Sequence, residues 1–199
     1  MKIKAGIVVF TGSTGANDIK YACDFFDWKS DLIWHKECIS KKYDIIFLPQ
    51  GCPYENKDYS KEEAFETSNI IKDLIKTKSL VVGFSDGFQM LCKIGLLKGH
   101  LEKNINGEML TGFRNFSFLD TNTLLPISTE YGNFIKNPDF CHDVILKYCE
   151  NNISDNNIAG VYDYENKVVG MIANPHLAII PKLRQTEGRK VFDFLKNVI

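Results

Sequence analysis

Gly83-Phe84-Ser85-Asp86-Gly87 follows directly on the apolar run Leu80-Val81-Val82 and leads into Phe88-Gln89-Met90-Leu91-Cys92. A strand that ends at a glycine-flanked corner and passes at once into a helix has the pattern of a nucleophile elbow. Glycine on both sides lets the backbone turn tightly enough to present the corner side chain, here a hydroxyl. Such a corner needs a buried strand before it and a helix after it, so it constrains the chain to an α/β fold and places the candidate site at Ser85.

The rest of the chain follows the same grammar. Ile3 to Phe10 reads as a strand buried on both faces, and Asn17 or Asp18 is placed to cap a helix running to about Trp28. Leu32-Ile33-Trp34 and Tyr43 to Leu48 read as further strands. Ser60-Lys61-Glu62-Glu63 has capping-box spacing ahead of an apolar stripe through Ala64, Ile70, Ile71, Leu74 and Ile75. Leu80 to Phe84 is then a central strand and Asp86 to Ile94 a helix. Beyond Gly99 the segments 114–119, 144–148, 158–164 and 167–172 are short and β-rich, with Glu165-Asn166 turning the last pair, and 186–197 closes as an amphipathic helix. The expected fold is α/β: a doubly wound, mostly parallel sheet with crossover helices and a β-hairpin-rich C-terminal half, in a single domain over residues 1–199 with its site at the carboxyl ends of the strands.

Composition excludes several function classes. A formal net charge of −1 leaves no basic surplus, so neither nucleic acid nor an anionic membrane is implied as a partner. No segment approaches a membrane-spanning length, and the opening apolar stretch lacks a small-residue cleavage pattern, so a cytoplasmic protein is expected. Six cysteines without a Cys-x-x-Cys pair read as reduced and mostly buried. Four histidines without an i, i+4 pair argue against a protein-built metal site, and no metal is expected.

The run from Val82 to Leu97 resembles the elbow of the class I glutamine amidotransferases. Within them it is most similar to the PurQ branch, the glutaminase subunits of phosphoribosylformylglycinamidine synthase in purine biosynthesis. Val9-Phe10-Thr11-Gly12-Ser13, Trp34-His35-Lys36, Asp44 to Pro49, Gly132-Asn133-Phe134, Asn157 to Gly160 and Val169 to Ile172 extend the resemblance over nearly the whole chain. In that family a thiolate attacks the glutamine side-chain amide, a histidine serves as base and acid, and a glutamate two residues later orients it. Backbone N–H groups hold the oxyanion. The resemblance puts the nucleophile position on Ser85, the histidine on Asn174 and the glutamate on His176. It puts oxyanion and glutamine contacts on Gly51, Asp86 and Gln89. The family's Pro-Gly-Gly loop reads Pro49-Gln50-Gly51 here, and its His-Gly-Glu-Gly stretch reads Thr129-Glu130-Tyr131-Gly132.

All three catalytic side chains are thus exchanged. A serine hydroxyl stays protonated near neutral pH unless an adjacent base takes its proton, and an asparagine amide cannot do so. Loss of a triad member removes on the order of 10⁴ in turnover. The resemblance therefore implies a PurQ-like subunit deficient in glutaminase chemistry, with glutamine binding in doubt. Its partners would be a PurL-type synthetase subunit and the small PurS subunit. ATP and magnesium would sit on PurL, and no cofactor on this chain. Two other readings stand beside it: a repurposed serine hydrolase using Ser85 with His176 as base, and a non-catalytic metabolite-binding or scaffold protein. His176 after Pro175 also reads as an ordinary loop histidine, and Cys52 as a partly buried, unreactive thiol rather than a relocated nucleophile.

Overall fold

The computed structural model describes residues 2–10, 12–37, 39, 41–51, 73–74, 76, 78–150, 153–154, 156–181 and 185–199. The helix expected from Ser60, and Cys52 with its loop, lie outside the described residues.

Among the described residues, nine strands form one sheet in the order β2-β1-β3-β4-β11-β10-β9-β6-β7. The half that carries the corner is parallel: β1 (Lys4–Val9), β2 (Lys29–Trp34), β3 (Ile45–Leu48), β4 (Leu80–Phe84) and β11 (Val168–Met171). Every residue of β3, β4 and β11 is buried. Such continuous apolar runs are what a parallel strand covered on both faces requires. From β11 outward the sheet is antiparallel through β10 (Ile158–Asp163), β9 (Asp143–Tyr148), β6 (Leu110–Phe118) and β7 (Thr121–Thr129). β5 (Gly99–Glu102) and β8 (Asn133–Lys136) pair separately. The α/β class, the parallel sheet and the hairpin-rich second half agree with the sequence reading, including the turn at Glu165-Asn166.

Helices α1 (Ala16–Phe25), α2 (Asp86–Lys93) and α3 (Gly188–Val198) pack their apolar stripes on the sheet. Phe192 of α3 is fully buried and stacks on Phe26 at 5.1 Å, with Trp28 and Phe47 alongside. Burying one such ring stabilises by about 1.5–3 kcal/mol.

Two local expectations are corrected. Neither Asn17 nor Asp18 caps α1: the helix begins at Ala16 with Gly15 at the N-cap and no side-chain cap bond, and Asp18 lies in the first turn, where its charge favours the helix dipole. The last helix starts at Gly188, two residues later than expected, and the carboxylate of Glu187 ahead of it accepts the N–H of Leu124 at 2.8 Å. Among the described cysteines, Cys23 and Cys92 are buried and Cys141 and Cys149 exposed, while Cys38 and Cys52 lie outside the described residues.

β7 was not anticipated. Pro126 in its middle argues against a central strand, and β7 is the sheet's edge, where a missing donor costs no ladder bond. The turn into it is Leu119-Asp120, both at positive φ (47° and 61°), without the Gly or Asn that ordinarily signals a two-residue hairpin.

Candidate active site

β4 runs into Ser85 at φ 52° and ψ −112°, and α2 begins at the next residue. A positive φ at a non-glycine residue is costly and persists only where its surroundings hold it. Here the Ser85 N–H donates to Met171 O at 2.8 Å, and Ser85 O accepts from Phe88 N and Gln89 N at 3.0 and 3.2 Å. The flanking glycines are needed for space. A Cβ on Gly83 would run into the backbone of Gly87, and one on Gly87 would overlap the Leu48 carbonyl at the end of β3.

Three loops meet at the carboxyl ends of the parallel strands. The loop after β1 approaches the loop after β3, with Thr14 N and Gly15 N donating to Gln50 O at 3.1 and 3.5 Å. Gly51 takes φ 78° and is packed against Gly12 and Thr14. Its N–H donates to the Asp86 carboxylate at 2.5 Å, which joins this loop to the corner. Gly51 and Asp86, both singled out from the sequence, are thus in direct contact. Gln89 lies one turn further along α2, half buried.

Asn174 and His176 follow β11, the strand that pairs with β4 in the register Met171↔Phe84. Asn174 heads a 3₁₀ turn over Pro175–Leu177, and its N–H donates to Pro126 O at 2.8 Å. The His176 ring is 2% exposed and stacks on Phe84 at 5.3 Å. Burial pushes its pKa down to about 3, so the ring is neutral at physiological pH. Asn174 Oδ1 and both His176 ring nitrogens are buried without a hydrogen-bond partner among the described residues. Gly15 lies beside the His176 ring: a Cβ there would sit 3.2 Å from Nε2.

The Ser85 hydroxyl, in a residue 3% exposed, reaches Ser128 O of β7 at 3.5 Å, the outer limit of a hydrogen bond. Among the described residues no hydrogen bond joins Ser85 to Asn174 or His176. Ser128 was missed with its strand, and only recognition of an edge strand behind Pro126 would have signalled it. No group of three or more His, Cys, Asp or Glu side chains among the described residues is placed to hold a metal ion. No described helix is long and apolar enough to cross a membrane.

No family model matches the chain. It is 28% identical to the phosphoribosylformylglycinamidine synthase subunit PurQ of Thermotoga maritima, covering 100% of this chain and 99% of that protein. It is 29% identical to the subunit of the same name from Trichormus variabilis, covering 97% and 96%. Among solved structures it superposes on a chain of PurLQS from Thermotoga maritima with a TM-score of 0.86 and 26% identity, covering 99% of both chains. A glutamine amidotransferase from the same organism shares the fold, with a TM-score of 0.62 at 14% identity.

Proposed function

We infer, for a chain that is a PurQ-like member of the class I glutamine amidotransferase family in sequence and fold, that it is the amidotransferase-type subunit of a phosphoribosylformylglycinamidine synthase and no longer hydrolyses glutamine. It acts as one domain over residues 1–199, in the cytoplasm, on a PurL-type synthetase subunit with PurS as the third component. That synthetase then draws its nitrogen from free ammonia or another donor.

The observation that carries this reading is the setting of the Ser85 hydroxyl. Its hydrogen-bond partner is the Ser128 carbonyl, an acceptor that cannot take its proton toward a substrate. Attack on an amide requires that proton to leave as the C–O bond forms, and a proton to reach departing ammonia. Asn174 offers neither service. His176 is neutral, but its ring lies against Phe84 with both nitrogens buried and without a hydrogen bond to the hydroxyl. The same feature weighs against a serine hydrolase that would use His176 as base. The Gly51 N–H, an oxyanion donor in the family pattern, already serves a fixed carboxylate on Asp86.

The test is glutamate release from glutamine by the purified chain, alone and mixed with the PurL and PurS subunits of its own organism, with co-elution followed in parallel. Complex formation without glutamate release is expected. Turnover at the rate of a cysteine amidotransferase would refute the loss of chemistry, and failure to co-elute would refute the subunit role.

A further inference from the structure

The amino-terminal edge of the parallel sheet, some 20 Å along β4 from Ser85 at about 3.3 Å per residue, carries a second concavity. Residues just ahead of β3 and β4 border a cavity of about 350 Å³ that takes in Lys41, Lys42, Lys76 and Lys78 together with Asp44 and Asp73. An adjoining hollow of about 420 Å³ shares Lys41, Lys42 and Tyr43 and adds Lys4, Lys29 and Asp31. Six lysines therefore surround two joined hollows in a chain whose net charge is −1.

The acids in this region are already engaged. Asp31 accepts from Lys41 Nζ and from the Tyr43 hydroxyl, both at 3.1 Å. Asp44 accepts the Lys4 N–H and Asp73 the Ile39 N–H, each at 2.8 Å. Lys4, Lys29, Lys42, Lys76 and Lys78 are exposed, and none has an ion-pair partner among the described residues. The carboxylates thus fix the backbone around the hollows but keep their charge, so among the described residues the six ammonium groups outnumber the three side-chain carboxylates by three. Like charges held together in a concave surface raise the local concentration of counter-ions.

We propose that these joined hollows bind a soluble oligophosphate. The charges are spread over two hollows that meet at Lys41 and Lys42, which suits a chain of phosphates better than one. Lysines act on phosphate oxygens as point charges and need no planar, bidentate geometry. A concavity of a few hundred Å³ is the size of a small-molecule site, whereas a duplex or a bilayer meets a broad surface. The proposal does not depend on the reading of Ser85.

The test is calorimetric titration of the full chain with sodium tripolyphosphate, without magnesium and at constant ionic strength. One saturable site per chain is expected, at least tenfold weaker in Lys42→Ala/Lys78→Ala, and unchanged within twofold in Ser85→Ala and in Lys147→Ala on β9, three strands away from β4. Thermal melts of the variants establish that these exposed substitutions leave the fold intact. A parallel titration with ATP separates the two sources of the ligand: tighter binding assigns a nucleoside triphosphate, and equal binding assigns the phosphate chain alone. No saturable heat, equal binding of inorganic monophosphate, or equal weakening by Lys147→Ala would each overturn the proposal.

Discussion

The carboxylate of Asp86 accepts the backbone N–H of Gly51 at 2.5 Å, fastening the first residue of α2 to the loop that follows β3. A charge-assisted bond to a backbone donor in a half-buried setting contributes about 1–2 kcal/mol, and its removal leaves the donor to water. Asp86→Ala is expected to lower the unfolding free energy by about that amount, and Asp86→Asn, which keeps an acceptor oxygen, by less than half as much. Urea denaturation with unchanged slope checks both. Equal stability of all three proteins would mean that this contact contributes nothing in solution.

Gly87 meets a steric limit at the same corner. A Cβ there would overlap the Leu48 carbonyl, which belongs to a fully buried strand and cannot retreat without disturbing the β3–β4 ladder. Gly87→Ala is expected to cost about 3 kcal/mol or more, well beyond an ordinary helix-surface substitution. Gly107→Ala has open space but φ 71°, so its cost is confined to backbone strain of about 1 kcal/mol. The difference between the two denaturation midpoints separates overlap from strain.

The corner was legible because each requirement leaves a residue-level mark: an apolar strand, glycine on both sides of Ser85, and helix formers after it. The parallel strands were legible for the same reason. β7 was not, since Pro126 contradicts strand formation everywhere except at an edge, and edge position is decided by the whole sheet. With it went Ser128, whose contribution is a backbone carbonyl and therefore carries no side-chain signal. The union of Gly51 with Asp86 joins loops 35 residues apart, and only the packing of β3 against β4 brings them together. The orphaned nitrogens of His176 were also invisible, because burial of a loop histidine depends on what stacks over it.

The described cysteines divide by burial. Cys23 and Cys92 are buried and their thiols are pushed up to about 12, so the reactive thiolate is negligible at pH 8, whereas Cys141 and Cys149 are exposed. Native iodoacetamide labelling followed by peptide mass mapping is expected to modify Cys141 and Cys149 within minutes and to leave Cys23 and Cys92 untouched until denaturant is added. Early labelling at Cys92 would show that α2 opens from the sheet far more readily than its burial implies.

If three side chains separate this chain from glutaminase chemistry, restoring them should recover it. Ser85→Cys supplies an ionisable nucleophile, Asn174→His a base and acid, and His176→Glu a carboxylate to orient that base. Because members of such a unit act together, each single substitution is expected to give no measurable glutamate. The triple variant is expected to exceed every single variant by at least about 10²-fold. An inactive triple variant that is folded and still assembles would place the loss of chemistry in the Pro49-Gln50-Gly51 and Thr129 to Gly132 loops.

His176 makes stability depend on pH with a definite sign. Its ordinary pKa of 6.5 falls to about 3 in the folded chain because burial disfavours the charged ring. The unfolded chain therefore binds the proton first, and this contribution is complete above about pH 6.5 and drains away as pH falls toward 3. Over that window one proton corresponds to about 1.4 kcal/mol lost per pH unit, in addition to the same-signed effect of His35 and His142, also lowered by burial. Replacement by phenylalanine keeps a ring against Phe84 and removes both unpartnered nitrogens. His176→Phe is thus expected to be at least as stable as the parent at pH 7, since each orphaned buried polar group costs about 1–3 kcal/mol. It should also lose one proton's worth of slope between pH 6 and pH 4. Urea unfolding at half-unit pH intervals gives both quantities, and identical slopes for the two proteins would mean that His176 is hydrated or charged in the native state.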